Sequence, residues 1–124
     1  MVVVETGSTV TSTQNTGRAM ASKRDERLEY SGVVEPILHY LNSLPESKAI
    51  NIHGSVFCER GTPDVIGSIR GRTVAFECKR SEREAPEAIQ KWRLAEWLTA
   101  GAIVGVVSDV KHVDLILRLM GVID

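Results

Sequence analysis

Three ionisable residues stand at spacings that could do hydrolytic chemistry: Asp64 in Gly61-Thr62-Pro63-Asp64, and Glu77 and Lys79 in Glu77-Cys78-Lys79. Side chains alternate between faces of an extended segment, so Glu77 and Lys79 project together and Cys78 points the other way. Pairing of the apolar runs Val65–Ile69 and Thr73–Lys79 through Arg70-Gly71-Arg72 would bring Asp64 beside them. Two carboxylates with an ammonium alongside suit a hard divalent cation. Mg²⁺ takes oxygen ligands in octahedral geometry, keeps several waters, and needs only one or two carboxylates next to a substrate phosphate. The backbone carbonyl of Cys78 is a further candidate ligand. Such an ion lowers the pKa of a coordinated water, and Lys79 would help to offset charge developing on phosphoryl oxygens. The implied chemistry is phosphodiester hydrolysis.

The elements that must position these groups are legible from periodicity. Val34, Ile37, Leu38, Leu41 and Leu44 recur at helical spacing, which predicts a first helix from Val34 to about Leu44, with Pro36 in its first turn and Pro45 at its end. A short strand, Ala49–His53, precedes the loop Gly54–Gly61, and the two apolar runs after it form a β-hairpin. Pro86 opens a second helix that continues through Leu98 to a C-cap at Gly101. Ala102–Val107 is an unbroken small and β-branched run, as in a strand buried on both faces, and His112–Met120 forms a closing helix. The connection through the second helix is long enough for a parallel crossover, so the fold class is α/β: a mixed sheet flanked by helices.

Composition narrows the remaining classes. At 124 residues the chain suits one domain, and 15 basic against 16 acidic residues leave no global charge to attract a polyanion, so nucleic acid would have to meet a local patch. No apolar run approaches the roughly 18 residues of a membrane span. Residues 1–22 are rich in Ser, Thr, Gly, Asn and Gln and read as a disordered tail, leaving 23–124 as the folded domain. Cys58 and Cys78 are too far apart for a CxxC unit and read as reduced thiols. The start of the chain has neither a basic leader nor a cleavage site, so a cytoplasmic location is expected. His39, His53 and His112 are scattered and suggest no metal site.

Gly61-Thr62-Pro63-Asp64, Glu77-Cys78-Lys79 and Gln90 on the next helix together resemble the PD-(D/E)xK nuclease superfamily. The G-x-P-D signature with its downstream Gln is similar to the VRR-NUC branch. The likeness runs from about Val34 to Leu117. It implies a restriction-endonuclease-like core and a Mg²⁺-dependent endonuclease, with Mn²⁺ able to substitute. Small stand-alone members from phages and bacteria are similar to Holliday junction resolvases, homodimers that act on branched DNA. Carried over residue by residue, the resemblance makes Asp64 and Glu77 metal ligands, Lys79 the residue that orients water, and Gln90 an active-site polar group. It also implies an acidic residue on the first helix. Glu35 in Val34-Glu35-Pro36-Ile37-Leu38 is the best match and Glu29 the alternative, Ser31 standing where a second acidic residue often lies.

At about 100° per residue, Gln90 shares the inward face of the second helix with Leu94, Trp97 and Leu98. A polar side chain aimed at a sheet needs a partner, and the Lys79 region is where one is expected. Ile89 and Trp92 fall on the outer face, as a dimer contact or as packing against the chain's own terminal segments. Arg60, Arg70, Arg72, Arg80 and Arg83 gather in sequence around the candidate site as possible phosphate contacts. No segment resembles a base-reading helix, which points to recognition of DNA structure rather than sequence.

Overall fold

The computed structural model describes residues 30–52, 58–81 and 83–124. The expected tail, Glu29, His53 and the first half of the Gly54–Gly61 loop lie outside them. A π-helical turn, Tyr30–Val34, runs directly into α1 (Glu35–Ser43). Then follow β1 (Ser47–Asn51), β2 (Val65–Ile69), β3 (Arg72–Cys78), α2 (Ala88–Thr99), β4 (Ile103–Val107) and α3 (Val110–Leu119). Among the described residues the strands form one sheet in the order β1-β2-β3-β4, with β1–β2 and β2–β3 antiparallel and β3–β4 parallel. The mixed α/β architecture expected from the sequence is therefore present. None of the described helices is long and apolar enough to cross a membrane.

Several boundaries differ from expectation, each for a local reason. Pro36 stands in the first turn of α1, as expected, directly after the π-helical turn. β1 begins at Ser47 rather than Ala49, because its ladder with β2 extends to the pair Ser47–Ile69. The β2–β3 turn is made by Arg70 (φ 52°) and Gly71 (φ 81°), the two left-handed residues that a tight hairpin needs to match strand twist. α2 starts two residues beyond Pro86, because Gln90 satisfies the backbone N–H of its N-cap, Glu87. α3 begins at Val110 instead of His112, because the Asp109 carboxylate accepts the His112 N–H (2.9 Å) as a cap.

The sheet is covered on both faces. On one face, Val65, Val74, Phe76, Cys78 and Val107 meet Ile37 and Leu41 of α1 and Val113 and Leu117 of α3. On the other, Ala75 and Val104 meet Leu94 of α2, with Ile66, Trp97 and Val106 packed around them. Leu98, expected to face inward, is half exposed (50%), one residue from the C-terminal end of α2.

Candidate active site

Asp64 ends the loop that leads into β2. Its carbonyl accepts the Ile52 N–H (2.8 Å), continuing the β1–β2 ladder by one step, and its carboxylate Oδ2 accepts the Cys78 N–H (2.8 Å). The register Val65–Phe76 puts Asp64 opposite Glu77. The Lys79 N–H donates to the Val107 carbonyl (2.9 Å), which carries the parallel ladder past the end of β3. Asp64, Glu77 and Lys79 thus sit where the start of one strand meets the end of the next, on the face covered by α2.

Glu77 and Lys79 are not a solvated strand face: they are 2% and 1% exposed. Lys79 Nζ lies 3.4 Å from Glu77 Oε2 and donates to Gln90 Oε1 (3.0 Å), while Gln90 Nε2 donates to Glu77 Oε2 (2.7 Å). Gln90 Oε1 also accepts the Glu87 N–H (2.8 Å). Lys79 and the Glu87 N–H can only donate, so the amide oxygen must face them and the NH₂ must face Glu77. The expected partner of Gln90 near Lys79 is therefore present, and Gln90 meets three groups in all: Lys79, Glu77 and the Glu87 N–H. Glu87 was not foreseen, although Glu87-Ala88-Ile89-Gln90 has the spacing of a capping box.

Burial, and next the neighbouring Asp64 carboxylate, push the Glu77 carboxyl well above the ordinary carboxylate range, against the opposing pull of Lys79. Glu77 Oε1 is buried without a hydrogen-bond partner. A buried carboxylate with one orphaned oxygen, facing a second carboxylate, lacks positive charge on that side. A divalent cation between Asp64 and Glu77 would supply it, so the donor set fits Mg²⁺. Among the described residues no three His, Cys, Asp or Glu side chains group as a metal site. Mg²⁺ itself needs only one or two carboxylates beside water and a substrate phosphate. The N–H and C=O of an extended residue point the same way, so the Cys78 carbonyl lies on the Asp64 side with its N–H.

Other expected site residues are placed elsewhere. Glu35 is exposed on the first turn of α1, in the layer covering the opposite face, and takes no part in the contacts that join Asp64, Glu77, Lys79 and Gln90. Arg70 and Arg72 sit at the far end of the hairpin, where Arg70 Nη1 donates to the Val122 carbonyl (3.1 Å). The rise of β3 from Arg72 to Glu77 separates that end from the site by about 17 Å. Arg60, Arg80 and Arg83 are exposed and belong to the segments flanking the site, and Arg80 pairs with Glu84 (3.4 Å). Of the outer pair on α2, Trp92 is 60% exposed, whereas Ile89 is half-buried against Gly61. Ile89 is therefore not part of an exposed contact with Trp92.

Comparison with protein-family models, curated proteins and solved structures finds no match to this chain.

Proposed function

We propose that this chain is a Mg²⁺-dependent DNA endonuclease of the VRR-NUC type with a restriction-endonuclease-like core. It would act in the cytoplasm as a homodimer on branched DNA, with Mn²⁺ able to replace Mg²⁺. The observation that carries the reading is the convergence of Asp64, Glu77, Lys79 and Gln90, with Glu77 Oε1 left unpartnered beside a second carboxylate. The antiparallel run β1–β3 followed by a parallel crossover to β4 supports the core assignment. The exposed Trp92 is the candidate contact for a second copy.

In this reading Asp64, Glu77 and the Cys78 carbonyl hold the ion. When bound, it would supply Lewis-acid polarisation of the phosphate and favour ionised water. The Lys79 ammonium offers donors to water and to phosphoryl oxygen as charge builds there. Gln90 shares Lys79 with Glu77 and holds both side chains in place before substrate arrives. Arg60, Arg80 and Arg83 are the candidates for flanking phosphates, contacts that would make binding fall steeply with salt.

The test is cleavage of labelled four-way junction, flap, duplex and single-stranded DNA in Mg²⁺, Mn²⁺ and EDTA, with Lys79→Ala as control. Paired, metal-dependent nicks confined to the junction are expected. Preferential cutting of flaps or single strands would keep the chemistry and change the substrate. Binding without cleavage in either metal would replace the nuclease by a DNA-binding module.

A further inference from the structure

The turn that delivers Asp64 is fastened to α2. Thr62 donates through its N–H (3.2 Å) and its Oγ1 (2.6 Å) to the Glu59 carbonyl, closing the turn on itself. Gly61 adopts φ +82° and lies so close to α2 that a Cβ there would fall 2.7 Å from the Ile89 carbonyl oxygen and 2.8 Å from Ile89 Cγ1. Arg93 Nε donates to the Arg60 carbonyl (3.0 Å) and lies 3.9 Å from Glu59 Oε1. Its Nη1 donates to Glu96 Oε1 (2.9 Å), and the guanidinium stands 6.0 Å from the centre of the Trp92 ring. Buried Pro63 then links this turn to Asp64.

We infer that Arg93 is a positioning residue for Asp64: it clamps the Glu59–Thr62 turn to α2, the same helix whose Gln90 holds Glu77 and Lys79. Gln90 and Arg93 are three residues apart, neighbours along one side of a helix. One rigid element therefore sets both halves of the carboxylate pair, Glu77 through Gln90 and Asp64 through the turn. The guanidinium suits the task because its donors form a fixed fork, one arm to the Arg60 carbonyl and another to Glu96. A lysine could keep the charge but not both arms. Arg93 touches none of the groups assigned to the metal, and it meets Arg60 only at the backbone carbonyl, so its effect is carried by the turn that delivers Asp64. The role in cleavage rests on the nuclease reading, but the placement of Asp64 does not.

The test reads that placement through the Cys78 N–H, which is bonded to the Asp64 carboxylate, against the Lys79 N–H, bonded to the Val107 carbonyl. Amide exchange is followed by NMR in the metal-free full chain for wild type, Arg93→Ala, Arg93→Lys and Gly61→Ala. Exchange at Cys78 is expected to quicken about tenfold in each variant, with Lys79 unchanged, as a local opening would give. Cleavage assays should show kcat about tenfold lower in Arg93→Lys, with KM near wild type. Wild-type exchange at Cys78 in the Arg93 variants would overturn the inference. So would an equal rise at Cys78 and Lys79, which would mean general loosening of the sheet. Should Arg93→Ala not fold, Arg93→Lys carries the same comparison. A wild type that cuts no DNA, with the exchange difference intact, would sink the nuclease reading and leave the clamp standing.

Discussion

The two faces of β3 are built to opposite rules from one strand. On one, Val74, Phe76 and Cys78 are fully buried among aliphatic side chains of α1 and α3, so burial of apolar surface stabilises the fold with no polar group to satisfy. On the other, Ala75 packs under Leu94, but the next positions are Glu77 and, just past the strand, Lys79, both withdrawn from water. Desolvating two charges costs several kcal/mol per ion, and a 3.4 Å pair bridged by one glutamine offsets only part of it. A hydrophobic pair of equal volume would serve the fold at least as well. The polar face is therefore held in place by the packing around it, and strongly perturbed buried groups of this type mark sites of chemistry.

Making the polar face more like the apolar one is the sharpest test of this contrast. Glu77→Gln keeps shape and removes the buried charge. Cleavage is expected to fall by about three orders of magnitude, the scale of losing a central electrostatic group. Thermal stability should fall as well, because the buried Lys79 ammonium is left without its charged partner. A variant that still cuts at the wild-type rate would take Glu77 out of the site. Phe76→Ala addresses the other face. Truncating this fully buried ring should lower unfolding free energy by about 3–5 kcal/mol in urea titrations. Cleavage per folded molecule should stay within about twofold of wild type, since the ring points away from Asp64 and Glu77.

Gln90→Met probes the bridge between stability and chemistry. The thioether keeps the volume but cannot donate to Glu77, or accept from Lys79 and the Glu87 N–H as an amide does. Cleavage should drop about 10- to 100-fold, with about 1–2 kcal/mol lost from α2 docking through the unsatisfied cap and ammonium. Gln90→Glu should restore the two acceptor contacts but place a third carboxylate against Glu77. Activity that recovers to wild type in Gln90→Glu would show that donation to Glu77 has no part in the site.

Much of this contrast could be read from period two alone. Alternation along Thr73–Lys79 separates Phe76 and Cys78 from Glu77 and Lys79, and the Arg70-Gly71 turn brings Asp64 opposite Glu77. The helical wheel likewise aims Gln90 at the sheet. Legibility ends where contacts depend on how an element lies against a distant one. Arg93 reads as one more surface cation in a charged helix, and only the crossing of α2 over the turn at Gly61 gives it the Arg60 carbonyl. The same crossing covers Ile89, which the wheel alone leaves outside. Arg70 and Arg72 look close to Arg80 in sequence, yet the length of β3 carries them to its other end. Sequence distance counts residues, whereas a strand converts each residue into about 3.4 Å.

The smallest expected effect lies on the rim of the apolar face, where the one strongly shifted group is a phenol. Tyr40 donates to Asp114 Oδ1 (2.6 Å), and Arg118 Nε donates to Asp114 Oδ2 (2.8 Å), linking α1 to α3. Partial burial, and next the hydrogen bond to Asp114, push the Tyr40 hydroxyl up to about 12. Its folded pKa thus stands above the unfolded value of about 10, so the protonated phenol favours the folded state. That contribution is fully present below about pH 10 and is lost as pH rises towards 12. Tyr40→Phe should cost about 1 kcal/mol near neutrality, the net worth of one such hydrogen bond. Urea midpoints measured at pH 8 and at pH 11 should show the gap between wild type and Tyr40→Phe narrowing at the higher pH, since other titrating groups are common to both. No gap at either pH would mean that Tyr40 contributes ring packing alone. The apolar face would then be stabilised by burial out to its rim, leaving the Glu77–Lys79 side as the only one whose polar contacts matter.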